Sequence, residues 1–166
     1  MAIALNRLLA HMSWANQKTI AHLQSLPEQS LSAFATNPKW QVSEIMHHIV
    51  DSADSYAFRI TGKHPQLPGD SIPEIGVIAD LALIAKQAEA IDAALLKSVT
   101  LDDEQIEFTN YSGKLVKRWR STILSQAIHH ATEHRAQIAS ALEAKGFTPV
   151  DLDELDLWAY EISFEN

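Results

Sequence analysis

Four stretches of this sequence bring an apolar residue back every three or four positions, each for roughly twenty residues or more, which is the period of a helix with one buried side. In the first, about residues 3–26, Leu5, Leu8, Leu9, Met12, Ala15, Thr19, Leu23 and Leu26 form the stripe. The second predicts a helix from near Val42, with Ser43 as a candidate cap, to about Thr61; Val42, Ile45, Ile49, Tyr56 and Ile60 carry its stripe. The third, about Val77 to Val99, lines up Ile78, Leu81, Ala85, Ala88, Asp92, Leu95 and Val99, and its many alanines suit close helix packing. The fourth runs from about Ser121 to Lys145 and stops at Gly146, a residue suited to the left-handed position that ends a helix. Long one-sided helices bury their stripes only against one another. The expected fold is therefore all-α: a single four-helix bundle spanning residues 1–166.

The connections are as informative as the helices. "SLPEQSLSAFATNPKW" interrupts the pattern with two prolines, and "TGKHPQLPGDSIPEIG" holds three prolines and three glycines, so both read as loops. In "DDEQIEFTNYSGKLVKRW", Ile106 and Phe108 alternate with polar residues, "NYSG" is turn chemistry, and Leu115 and Val116 follow. This crossover predicts a short β-hairpin near Ile106 to Val116, although an irregular extended segment fits the same residues. "LDELDLWAY" near the end reads as one more short helix.

Composition excludes several classes. A chain of 166 residues that is 46% apolar is globular. A net charge of −8 argues against nucleic acid as a partner, since phosphate binding needs an excess of Lys and Arg. No apolar run reaches the roughly 20 residues of a membrane helix, and no membrane partner is expected. "MAIALNRLLAHMSWAN" lacks the basic start of a signal peptide, so none is expected and a cytoplasmic location is the default. With no cysteine, thiolate metal ligands and a protein-borne thiol nucleophile are excluded.

The fourth stretch also contains the densest chemistry, "AIHHATEHRAQIASAL". At 100° per residue, Ile123, Ala127, His130, Ile138 and Ala141 all fall within roughly 40° of His134, whereas His129 lies about 140° away and Glu133 about 100° away. His130 and His134 thus share the core-facing stripe one turn apart. Their run matches the H-x-x-E-H zinc-protease signature, but His134 is followed by only 32 residues, with no recognisable third-ligand context. Glu133 reads as a solvated face residue. Two imidazoles on a core stripe need partners for four ring nitrogens, so either a metal or hydrogen bonds within the bundle must satisfy them.

A third ligand is available in "SEIMHHIVDSADSY". His48 lies at the edge of the second apolar stripe, while His47 points a further 100° or so toward water. Asp51 is a candidate acceptor for the His48 ring or simply an exposed acid. A di-iron site would need two Glu-x-x-His motifs; Glu44 to His47 supplies one, and no second exists. His11, His22 and His64 form no comparable group.

These features together resemble the DinB/YfiT-like family. The resemblance is carried by the second-helix histidine followed by "IVDSADSY", by "HATEHRAQI" in the fourth helix, and by "MSWAN", Trp40, "FTNYSGK" and the closing "DLDELDLWAYE". The family's H-R-G-Q run stands here as His134-Arg135-Ala136-Gln137. The resemblance implies a site of three histidines for a divalent metal, often nickel or zinc, with His48, His130 and His134 as ligands. It also implies activities that include thiol S-transfer with a low-molecular-weight thiol cosubstrate, and frequent homodimers.

The expected function is therefore a metal-dependent enzyme acting on a small molecule, of thiol-transferase or hydrolase type; its catalytic residues beyond the ligands are not assigned. The alternative is a non-catalytic metal- or ligand-binding stress-related helical protein. A homodimer is also expected from the first helix, where Ala4, Leu5, Leu8, Leu9, Met12, Trp14 and Ile20 cover more of the circumference than one buried stripe needs.

Overall fold

The apolar stripes close on one another as the spacing requires. The computed structural model describes residues 5–65, 67 and 71–164. Four long helices, α1 (Leu5–Gln24), α2 (Val42–Thr61), α3 (Leu81–Ser98) and α4 (Arg120–Ala144), form the bundle. A two-stranded antiparallel hairpin, β1 (Gln105–Thr109) and β2 (Leu115–Trp119), lies between α3 and α4 in the chain, and a short α5 (Leu157–Ile162) follows α4. Both α1 and α2 pack against α3 and α4, so the four helices enclose one core. Leu9, Met12, Leu23, Ile45, Ile49, Ile84, Ile91, Leu95, Leu124 and Ile138 fill it with almost no exposure. The all-α bundle with a hairpin in its crossover is the fold the sequence predicts.

The ends of the elements differ in detail. Ile3, where the first stripe was expected to begin, lies outside the described residues. Ser43 does not cap α2: the cap position lies two residues earlier, at Gln41, with no side-chain cap bond. The reason is that the Val42 N–H bonds the Ala33 carbonyl at 2.9 Å, which fixes the start of the helix and leaves Ser43 buried inside its first turn. The expected third helix opens with a 3-10 turn at Ile78–Asp80, and the loop after α1 contains another at Glu28–Ser32. At the end of α4, Gly146 (φ 76°) donates to Glu143 and Phe147 to Leu142, each at 3.0 Å, which is the paired bonding that a left-handed glycine makes available.

The hairpin packs its strands against α2 and α4, near the middle of the chain's polar chemistry. Its turn is fixed by Asn110, whose Oδ1 accepts from the Ser112 and Lys114 N–H groups at 3.0 Å, and by Gly113 at φ 73°. In register, Phe108 stands opposite Val116. The closing segment lies back on α1: the His11 Nε2–H donates to the Leu155 carbonyl at 2.7 Å, and the Trp14 and Tyr160 rings meet at 5.4 Å. That contact lays the closing segment over the His11 and Trp14 side of α1. No helix among the described residues is long and apolar enough to cross a membrane.

Candidate metal centre

His48 projects from α2, and His130 and His134 project from successive turns of α4, into the seam where these two helices pack. Their candidate ligand nitrogens all lie within 4.8 Å of one another. The Nε2 atom of His130 stands 3.0 Å from His48 Nε2 and 3.0 Å from His134 Nε2. The rings are tilted or edge-on to each other, with centroids 4.2 to 4.8 Å apart, so it is nitrogens rather than ring faces that converge.

The proton on one ring follows from its neighbours. The Trp40 indole N–H only donates, and it donates to Gln137 Oε1 at 2.8 Å. The same oxygen lies 2.8 Å from His134 Nδ1, which must therefore carry a hydrogen. In neutral His134 the lone pair is then on Nε2, aimed at the meeting point. His130 Nε2 has either one hydrogen or one lone pair, so it cannot make two ordinary hydrogen bonds with the other two nitrogens. A cation at the meeting point satisfies all three lone pairs together. Imidazole nitrogens bind zinc at roughly 2.0–2.1 Å, so three sharing an ion stand on the order of 3.4 Å apart, a spacing this cluster matches with small movements. The residues fit a divalent metal.

Electrostatics favour the neutral form of two of the donors. Burial, then the proximity of His134 and His48, push His130 down to about 4 from its ordinary 6.5. His48 is lowered by burial and by His134, against an opposing pull from Asp51. Asp51 itself is exposed and makes no hydrogen bond to His48, so it does not orient that ring. Trp40 closes one end of the cluster, edge-on to His48 at 5.2 Å and to His134 at 5.6 Å. Tyr56 stands at the other end, edge-on to His130 at 5.9 Å, and burial raises its phenol above the usual 10.0.

The structure brings together the three histidines singled out from the sequence and leaves the others elsewhere. His47 and His129 are not in the group, and Glu133 is exposed. His22 bonds the Thr148 carbonyl at 3.0 Å and His64 the Asp54 carboxylate at 2.6 Å, both structural uses. Sequence reasoning noted Trp40 and Gln137 only as marks of resemblance and gave them no role. The spacing from His134 to Gln137, one helical turn, was the available signal for one of them. Nothing local announced Trp40, which lies 97 residues from its partner Gln137.

A four-helix bundle with three convergent imidazoles between two of its helices defines a class of helical proteins built around a histidine pocket. Within that class, the chain belongs to the DinB family, which it matches over residues 1–162. No curated protein matches it.

Proposed function

We propose that this DinB-family protein holds a divalent metal, nickel or zinc, on His48, His130 and His134 and acts as an enzyme on a small molecule, by thiol S-transfer or hydrolysis. The observation that carries the reading is the meeting of three ring nitrogens whose hydrogens and lone pairs cannot satisfy one another. A divalent ion supplies positive charge that makes a thiol or water acidic near neutral pH. The protein's own part is to hold the donors. Gln137 and Trp40 fix the His134 tautomer, the lowered proton affinities of His48 and His130 keep their lone pairs free at neutral pH, and Trp40 and Tyr56 narrow access from both ends. Because the chain has no cysteine, a thiol nucleophile would come from a low-molecular-weight cosubstrate, which fits a reducing, cytoplasmic setting.

The test is a turnover screen of nickel- and zinc-loaded protein against thiol cosubstrates with electrophilic acceptors, and against esters. Metal-dependent turnover in either arm supports the enzyme. Stoichiometric metal without turnover in both arms leaves a binding protein and overturns the catalytic reading. We also propose a homodimer. The C-terminal segment lies over the Trp14 side of α1 and exposes Trp158, Ile162 and Phe164, the apolar surface we propose for pairing. Light scattering at micromolar concentration decides: a mass of 18.4 kDa refutes the dimer and twice that supports it.

A further inference from the structure

Beyond Tyr56, the seam between α2 and α4 opens into a cleft of about 260 Å³ roofed by the hairpin. Arg59 from α2 and Arg118 from β2 line it, together with Tyr56, Phe108 and Gln126. The chain has five arginines. Arg7 pairs with Glu161, Arg120 bonds Glu104 at 2.7 Å, and Arg135 is held near Asp92 through Asn16. Among the described residues, Arg59 and Arg118 have no carboxylate partner, and they face the same cleft. In a chain of net charge −8, two acid-free guanidinium groups at one opening are a local reversal of sign.

Arg59 is also positioned. Its guanidinium carbon lies 4.8 Å from the Phe108 ring centre, 5.3 Å from Tyr111 and 5.6 Å from Tyr56. Three ring contacts orient the planar group while consuming none of its N–H donors, which are left to bind an oxyanion in a bidentate manner. The nearest of these walls toward the cluster, Tyr56, is the ring that stands against His130. The cleft and the three-histidine centre are therefore adjoining compartments sharing one aromatic partition.

We propose that this cleft binds the oxyanion, carboxylate or phosphate, of a small molecule whose other end reaches the histidine centre. The cleft's volume suits one such group with a few attached carbons rather than a whole large ligand. That the bound molecule is the substrate rests on the metal-dependent reading above; anion binding by the cleft does not.

The test is an NMR titration of the full chain, following the Arg59 Nε–H and the Gln126 side-chain amide, with succinate and with inorganic phosphate. Each titration is run on metal-free and on zinc-loaded protein. Saturable shifts at both reporters are expected, with whichever anion binds tighter naming the substrate class. Arg118→Gln, a change at an exposed position that leaves the fold intact, weakens binding at least about tenfold. Arg59→Lys, which keeps the charge and the stem but loses the fork, weakens it too, and Arg7→Gln has no effect. In zinc-loaded protein succinate binds several-fold more tightly than in metal-free protein, and His130→Ala removes that gain. Absence of shifts at these reporters, or equal affinity in the Arg118 and Arg59 variants, overturns the proposal. Failure of zinc to bind while the arginine-dependent shifts persist would remove the metal reading and leave the cleft standing.

Discussion

His134 and Arg135 are neighbours in α4 and serve two polar centres of opposite design. His134 faces α2, where three imidazoles point their nitrogens at one another and lack mutually compatible hydrogens. Arg135 turns toward α1 and α3, where Asn16 accepts from it at 2.7 Å and donates to Asp92 at 3.2 Å, while Thr132 accepts from Arg135 at 3.0 Å. Asp92 and Arg135 are only 2% and 3% exposed, and each finds a hydrogen-bonding partner within the chain. The histidine cluster is half-buried, and its converging nitrogens do not satisfy one another. In α4, one polar residue is thus satisfied by its own chain, while its neighbour joins a group whose nitrogens converge without satisfying one another.

Several measurements would break or sharpen this contrast. The largest effect expected is on metal content. His48→Ala, His130→Ala and His134→Ala should each drop from about one ion per chain to nearly none, whereas His47→Ala, His129→Ala and Asp92→Ala retain the wild-type amount. Elemental analysis of the six purified variants reads this directly, and equal retention in all of them would show the cluster is not the site.

Stability should respond in the reverse order. Asp92→Ala leaves the buried Asn16 amide without its acceptor and empties the space its carboxyl fills, and should cost roughly 1–3 kcal/mol in urea denaturation. Asp92→Asn should cost less, because it keeps a polar partner for Asn16. His130→Ala in metal-free protein removes a half-satisfied ring and should cost little. A His130→Ala penalty as large as that of Asp92→Ala would erase the distinction between the two centres.

Smaller still is the effect of Gln137→Leu, which frees the His134 ring without removing a ligand nitrogen. It should weaken metal affinity by about 10–100-fold, and cost the metal-free fold about 1 kcal/mol because the Trp40 and His134 N–H groups lose their acceptor. Unaltered affinity would mean the Trp40–Gln137–His134 relay does not set the tautomer.

The least effect, and the most diagnostic of mechanism, concerns pH in chelator-treated protein. His130 is lowered from 6.5 to about 4, so its contribution to stability is present above its unfolded value and is lost as pH falls through about 4. Asp92 is raised by burial from 3.8 to about 7, so its contribution is present at low pH and is lost as pH rises through about 7. The two centres therefore tilt stability in opposite directions over the same interval. Relative to wild type, His130→Gln should gain stability as pH falls from 6.5 toward 4, and Asp92→Asn should gain as pH rises from 4 to 7. Parallel profiles for the two variants would contradict this.

The sequence alone determined the helices, because a period of 3.6 is a local property: a helix from near Val42 to about Thr61 was legible, and the stop at Gly146 followed from its freedom to take a positive φ. It also selected His48, His130 and His134 over His47 and His129, since a wheel sorts residues by face without knowing what lies opposite. Asp92 was visible on the buried stripe of α3, yet its partners were not, because Asn16 and Arg135 belong to two other helices. The cap of α2 was misjudged at Ser43 because a distant carbonyl, that of Ala33, chose the first turn. Tertiary structure alone decided how the polar groups meet. It set Trp40 on Gln137 to fix the proton of His134, hung the hairpin over α2 so that Phe108 and Tyr111 hold Arg59, and left Arg118 without an acid beside it. Periodicity assigns each side chain a face, but a hydrogen bond or a shared ligand needs two faces at a fixed distance, and packing of the whole chain sets that distance.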